Sequence, residues 1–179
     1  ETLLRCSRCT TASLTVTKTA DKAYLACKAC GADYPVETDA KVCSLLSEEA
    51  NTAVKEDIRS FWGDLFKQLY AENDEKITAA LLAAQLNDLE DLFVKRHHLA
   101  TVEMPLADLS GKKVLEIGPG GGGHSCLFRK HGADIVAADL TPERVFSTAK
   151  KLDLVVGGRG IAYQADAENL PFRDNSFDI

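Results

Sequence analysis

Nowhere in its 179 residues does the sequence run through about 18 apolar positions without interruption, and the opening stretch ETLLRCSRC lacks the apolar core of a secretory signal. A membrane span and a cleaved leader are therefore not expected, and the default compartment is the cytoplasm. Positive charge is also scarce. Lys plus Arg number 21 against 27 Asp plus Glu, a net charge of -6, so no global field draws in nucleic acid or an anionic membrane. Most of the deficit falls between residues 45 and 105, where 12 acidic residues meet 6 basic ones. A polyanion would need a local basic patch. The length allows one domain or two small ones, with enough chain to bury a core.

Cysteine is present in a telling arrangement. Four of the 6 cysteines form two tight pairs, Cys6-x-x-Cys9 and Cys27-x-x-Cys30, separated by 17 residues. That spacing suits a four-cysteine zinc site better than a disulfide scaffold. Each pair places two thiolates on one turn, and two turns complete a tetrahedral shell with no open position, so Zn2+ held by Cys6, Cys9, Cys27 and Cys30 is expected to be structural. A redox pair is the rival reading, but a thioredoxin-like motif occurs once and beside a βαβ pattern. Leu14 to Lys18 alternates apolar and polar, Thr19 to Lys22 are turn-like and Ala23 to Ala26 resumes strand character, predicting a hairpin with one zinc knuckle at each side. Cys43 and Cys126 read as buried thiols.

From Ser47 the period changes to 3.6. Ile58, Phe61, Trp62, Leu65, Phe66, Leu69 and Tyr70 form one apolar stripe, broken at Asn73-Asp74, and a second helix carries Leu82, Leu86, Leu89 and Phe93 to about Leu99. An aromatic stripe can line a pocket, but at this spacing core is expected. His97 and His98 end that helix beside Lys95 and Arg96, where cations suit the negative end of the dipole; being adjacent, they point apart and do not share a metal. From Gly111 the order is strand, helix, strand, helix, strand: Lys113 to Gly118 a buried strand, Gly121 to His131 a helix stopped by Gly132, Ile135 to Leu140 a strand, a helix opened by Thr141-Pro142-Glu143, Ile161 to Asp166 a strand, and Phe177 to Ile179 the start of another. Alternation of this kind predicts an α/β fold with a parallel sheet.

The stretch VLEIGPGGGGH, residues 114–124, lies at the first strand-to-helix turn. Gly118 permits a tight turn, Gly120 lets a ligand approach the backbone, and a later glycine allows close packing; Asp139, at the end of the second strand, is placed to accept from ribose hydroxyls. Those features suit a dinucleotide or an adenosyl ligand equally. Glu116 separates them. A carboxylate two residues before the first glycine repels a pyrophosphate but suits the amino group and sulfonium of S-adenosylmethionine, unless it only satisfies loop amides.

Two resemblances extend this reading. Cys27-x-x-Cys30-Gly31-x-x-Tyr34-Pro35-Val36, followed by Leu45-Leu46, resembles small zinc-ribbon proteins that activate partner methyltransferases and ribbons fused ahead of some methyltransferase domains; Glu37-Thr38-Asp39-Ala40 departs from their usual turn. Residues 111–179 resemble class I S-adenosylmethionine-dependent methyltransferases. Glu116-Ile117-Gly118-Pro119-Gly120-Gly121-Gly122 is similar to the E-x-G-x-G-x-G motif, and Asp166 to Asp178 is similar to the D-A-E-x-L-P-F-x-D-x-S-F-D run of the subgroup that includes quinone-biosynthesis enzymes. The likeness implies S-adenosylmethionine as cofactor, bound by Glu116, Gly118, Gly120, Gly122, Asp139, Asp166 and Ala167, with Asp166 on the adenine amino group and the Ala167 backbone on the ring edge. No residue is assigned as a catalytic acid or base.

The expected organisation is a zinc ribbon over 1–46, a helical linker or cap over 47–105, and the first half of a Rossmann-like methyltransferase fold over 106–179. The family's sheet has seven strands and this sequence reaches only the start of the fourth, so the chain is expected to be inactive alone and to expose the edge Val114 to Ile117 to a second copy or another partner. The acceptor is expected to be a small or lipid-like molecule. Ribosomal RNA guanine methyltransferases with an N-terminal ribbon share the module order, but residues 1–44 carry 6 basic against 5 acidic residues and no aromatic-basic surface, so nucleic acid is not favoured. A non-catalytic binding fragment is the third reading.

Overall fold

The computed structural model describes residues 3–19, 22–95 and 105–179. The expected helix end at Arg96 to Leu99, with His97 and His98, lies outside the described residues. Four short strands come first: β1 (Leu14–Lys18), β2 (Ala23–Cys27), β3 (Asp33–Glu37) and β4 (Val42–Ser44), each antiparallel to the next. The predicted hairpin is β1 and β2; the sequence reading did not separate β3 and β4.

Three helices follow, α1 (Ala53–Leu69), α2 (Ala71–Glu75) and α3 (Ala79–Lys95). Thr52 caps α1, its hydroxyl oxygen accepting from the Lys55 backbone N–H at 3.3 Å. Asn73 and Asp74, expected to break the helix, instead sit inside α2. Asp74 anchors it: its carboxylate accepts from Ser147 Oγ at 2.7 Å and pairs with the Lys151 ammonium at 2.6 Å.

The remaining chain alternates β5 (Lys113–Ile117), α4 (Gly123–Lys130), β6 (Asp134–Asp139), α5 (Pro142–Leu154) and β7 (Gly160–Gln164), with β5, β6 and β7 parallel as predicted. Helix α4 starts two residues later than expected because Gly120 and Gly122 have φ of 61° and 79°, outside the right-handed helical region. Gly132, at φ 89°, ends it as anticipated.

The two halves share one sheet. Cys43 pairs with Tyr163 and Ser44 with Gln164, so β4 adds in parallel to β7 and the order becomes β1-β2-β3-β4-β7-β6-β5. Helices α3, α4 and α5 cover one face through Leu82, Leu86, Phe93, Leu127 and Leu152; Leu4, Tyr34, Leu45 and Phe172 fill the other. Strand β6 lies between, with Ile135 to Ala138 all buried, as a strand covered on both faces requires. Cys43 and Cys126 are buried as expected, and burial pushes both thiols up to about 12.

Two expectations fail here. In β5 only Val114 is fully buried, and the strand ends at Ile117, which is 51% exposed. Its outer edge is also not left bare: Leu115 N–H donates to Ile179 O at 3.0 Å, Asp178 N–H donates to Lys113 O at 2.8 Å, and Asp178 Oδ2 accepts from Lys113 N–H at 2.8 Å. The chain's own residues 178 and 179 thus occupy the start of the edge that was expected to await a partner.

Candidate functional site

A cavity of about 820 Å³ opens at the carboxyl ends of β5, β6 and β7, where open parallel sheets bind ligands. Of the residues singled out in the sequence, Gly118, Asp139, Asp166 and Ala167 line it together. Gly118 and Gly120 hold positive φ, 70° and 61°, so the chain turns sharply out of β5, and Gly118 N–H donates to Ala138 O at 2.8 Å to tie the turn to β6. Gly120 and Gly122 shape the loop from behind: a Cβ on Gly120 would stand 3.2 Å from Arg144 Nη1, and one on Gly122 would stand 3.0 Å from the Thr148 Cα on α5.

Asp139 is fixed by its own turn, Oδ1 accepting from Thr141 N–H at 2.8 Å, and burial raises its carboxyl above the usual range. Asp166 is 6% exposed. Its Oδ1 accepts from Glu168 N–H at 3.0 Å, and its Oδ2 pairs with the Lys55 ammonium, which also meets Glu168 at 2.8 Å. Hydrogen bonding to Asp166 raises the Lys55 pKa, with Glu168 adding to it.

Glu116 is placed differently. Its carboxylate accepts from the Ser125 hydroxyl and lies 3.7 Å from His124 Nδ1, both on α4; the cavity wall at this strand is made by Ile117 and Gly118. The neighbouring Glu116 carboxylate raises the His124 pKa against the opposing effect of burial.

The opposite wall comes from α1, through Val54, Lys55, Ile58 and Trp62. The stripe expected to be core is therefore mostly not core: Phe61 is 61% and Trp62 43% exposed, and of the stripe only Phe66 is buried. Helix α1 docks on α5. Arg144 stacks 4.8 Å over the Trp62 ring, Lys67 pairs with Glu143 at 2.9 Å, and Gly63 leaves room for the Glu143 carboxylate. Sequence reasoning missed Lys55 and Arg144; Arg144 carried a faint signal, standing in the first turn of the helix that follows Asp139.

The four cysteines form a second constellation. Their sulfurs lie within 4.8 Å of one another, Cys6 to Cys30 at 3.7 Å and Cys9 to Cys27 at 3.6 Å. Thiolates about 2.3 Å from a tetrahedral zinc stand about 3.8 Å apart, so the set fits the ion. Ser13 Oγ, 3.2 Å away, holds the Cys27 thiol down to about 5. Tyr34 braces the first knuckle, its hydroxyl accepting from Ser7 Oγ at 3.0 Å and from Arg8 N–H at 3.3 Å.

Residues 115–179 match the family model described as a methyltransferase domain. The parallel sheet with the cavity at its carboxyl end has the architecture of a methyltransferase domain of that kind. Over 76 residues the chain is 46% identical to a probable phthiotriol/phenolphthiotriol dimycocerosates methyltransferase 2 of Mycobacterium ulcerans (strain Agy99), covering 41% of this chain and 28% of that protein. Over 151 residues it is 28% identical to the phthiotriol/phenolphthiotriol dimycocerosates methyltransferase of Mycobacterium leprae (strain TN), covering 78% of this chain and 53% of the relative. Over 79 residues it is 43% identical to the protein of that name in Mycobacterium tuberculosis (strain ATCC 25618 / H37Rv), covering 40% and 26%. The chain thus spans about half or less of the curated relatives it matches. No helix among the described residues is long and apolar enough to cross a membrane.

Proposed function

We propose that the protein transfers a methyl group from S-adenosylmethionine to a lipid-like acceptor, and that the four cysteines hold a structural zinc. The observation that carries the first reading is the cavity that joins Gly118, Asp139 and Asp166 to an apolar wall of Val54, Ile58 and Trp62. The relatives' names, which concern phthiotriol-type acceptors, support the lipid-like class.

The donor supplies an already activated methyl on a sulfonium, so the chain's residues bind, orient and exclude water rather than exchange protons. Asp139 accepts from the ribose hydroxyls. Asp166 and the Ala167 backbone receive the adenine edge, and Gly118 and Gly120 keep the loop low enough for the amino-acid end to lie against it, with Gly122 packing the loop onto α5. Glu116, held beneath the loop by Ser125 and His124, adds negative charge under that cationic end. Helix α1 caps the cleft and offers the acceptor its apolar face.

Trp62 is the chain's one tryptophan and lines the cavity, so its emission reports on binding directly. S-adenosylhomocysteine is expected to change Trp62 fluorescence saturably and NAD to leave it unchanged. A saturable response to NAD with none to S-adenosylhomocysteine would return the site to the dinucleotide class. Zinc is tested separately by metal analysis, with one ion per chain expected and none after Cys27→Ser.

A further inference from the structure

The four-cysteine ribbon touches the methyltransferase domain along a second seam, away from the shared sheet. Leu4 bridges Phe172, Arg5 N–H donates to Pro171 O at 3.0 Å, and Arg173 N–H donates to Leu3 O at 2.9 Å. One side chain carries this seam to the cavity. The Asn169 amide donates from Nδ2 to Ser7 O at 2.8 Å, inside the Cys6-to-Cys9 knuckle, and lies 3.3 Å from Ser47 Oγ at the entry to the helical segment. The carbonyl partner fixes which end of the amide is the donor. Asn169 also closes the turn that presents Asp166: its backbone N–H donates to Asp166 O at 3.0 Å, while Glu168 N–H donates to Asp166 Oδ1 at 3.0 Å. In the run D-A-E-x-L-P-F, Asn169 fills the open position.

We propose that Asn169 is a positioning residue that locks the Asp166 turn to the first zinc knuckle, so that metal at the four cysteines sets the affinity of the adenosyl site. Tyr34 braces the knuckle from one side, and a ligand shared by Cys6 and Cys9 would fix it from the other. Release of the metal frees Ser7, and through Asn169 frees the turn on which Asp166 and Ala167 sit. The inference rests on the zinc and adenosyl readings above and adds to them a coupling between the two sites. Coupling of this kind is reciprocal: a ligand at the cavity must tighten metal at the ribbon by the same factor.

The test compares the full chain with Asn169→Ala and Asn169→Asp, the latter setting a carboxylate against the Ser7 carbonyl. Calorimetry with S-adenosylhomocysteine, on zinc-loaded protein and after chelation, gives one arm; competition for zinc against a chelator, with and without saturating S-adenosylhomocysteine, gives the other. In the parent, metal removal is expected to weaken S-adenosylhomocysteine about tenfold, and the ligand to raise zinc affinity by the same factor, within the usual size of such couplings. Both variants should keep their zinc and circular dichroism, bind S-adenosylhomocysteine several-fold more weakly, and lose the reciprocal effect on zinc. Equal binding by zinc-loaded parent and folded, zinc-loaded Asn169→Ala overturns the inference alone. Should the metal-free parent unfold, that comparison of holo-proteins decides. If the zinc-loaded parent binds no S-adenosylhomocysteine, the adenosyl reading falls and this inference falls with it.

Discussion

The Lys55 ammonium, on the first turn of α1, is paired with the Asp166 carboxylate just past the end of β7 and lies 2.8 Å from Glu168. A cation on a first turn opposes the helix dipole, so this lysine is sustained by its partners rather than by its own helix. Its pKa is raised, chiefly by the hydrogen bond to Asp166, so the stabilisation it brings is complete below the ordinary lysine value of 10.5 and fades as pH climbs through the higher folded value. Lys55→Gln is therefore expected to unfold at a lower temperature than the parent at neutral pH, followed by Trp62 fluorescence, with the two curves converging above pH 10.5. A gap that stays constant into that alkaline range would show that Lys55 acts by packing and not by charge.

Glu116 and His124 give a second pH signature. The Glu116 carboxylate, 3.7 Å from His124 Nδ1, raises the imidazole pKa above its ordinary 6.5. A raised histidine stabilises the fold fully below 6.5, and the contribution is lost as pH rises through the folded value. Glu116→Gln should accordingly lower the His124 pKa in an NMR titration, and lower thermal stability more at pH 5.5 than at pH 8.5, values chosen to stand about a unit or more on either side of the ordinary pKa. An unchanged His124 titration would mean that the two side chains do not interact in solution.

The parts of the site that were legible in the sequence are those carried by local spacing. Gly118, Asp139 and Asp166 each end a strand or begin a turn, so their positions along the chain nearly fix their places at the carboxyl edge of a parallel sheet. The cysteine pairs were legible for the same reason. What could not be read depends on docking between distant segments. Lys55 meets Asp166 across 111 positions and Asn169 meets Ser7 across 162. The α1 stripe misled because period 3.6 reports an apolar face without saying what lies opposite; here much of that face looks into the cavity or outward. Strand β4 was invisible because three residues carry too little pattern, and its parallel partner β7 comes after the whole helical segment.

Gly122 tests the loop from its packing side. Its φ is 79°, and a Cβ placed there would stand 3.0 Å from the Thr148 Cα, so alanine is penalised twice, by backbone strain and by displacement of α5. Left-handed backbone alone costs a non-glycine residue about 1–2 kcal/mol, and overpacking adds about 1–3 kcal/mol. Gly122→Ala should lose about 2–5 kcal/mol in denaturant unfolding on those figures. Gly121→Ala, where a Cβ meets only the flexible end of Lys151 at 3.7 Å and φ is not positive, should lose much less. Equal losses at the two positions would contradict the packing read from α5.

The continuous sheet makes a prediction about cooperativity. Leu45 follows β4, is 1% exposed, and its N–H donates to Gln164 O at 2.8 Å, so its side chain belongs to the core shared by ribbon and methyltransferase domain. Truncating it leaves a cavity bordered by both halves, and Leu45→Ala should cost about 2–5 kcal/mol. For a chain of this length each kcal/mol lowers Tm by about 2–4 °C. Because β4 and β7 are hydrogen-bonded neighbours, zinc-loaded protein should melt in one calorimetric transition, and the variant should shift that transition whole. Two transitions, with only the one belonging to the four-cysteine half displaced, would mean that the β4–β7 pairing does not couple the halves, and that the ribbon reaches the cavity only through the seam of Leu3, Leu4, Arg5 and Asn169.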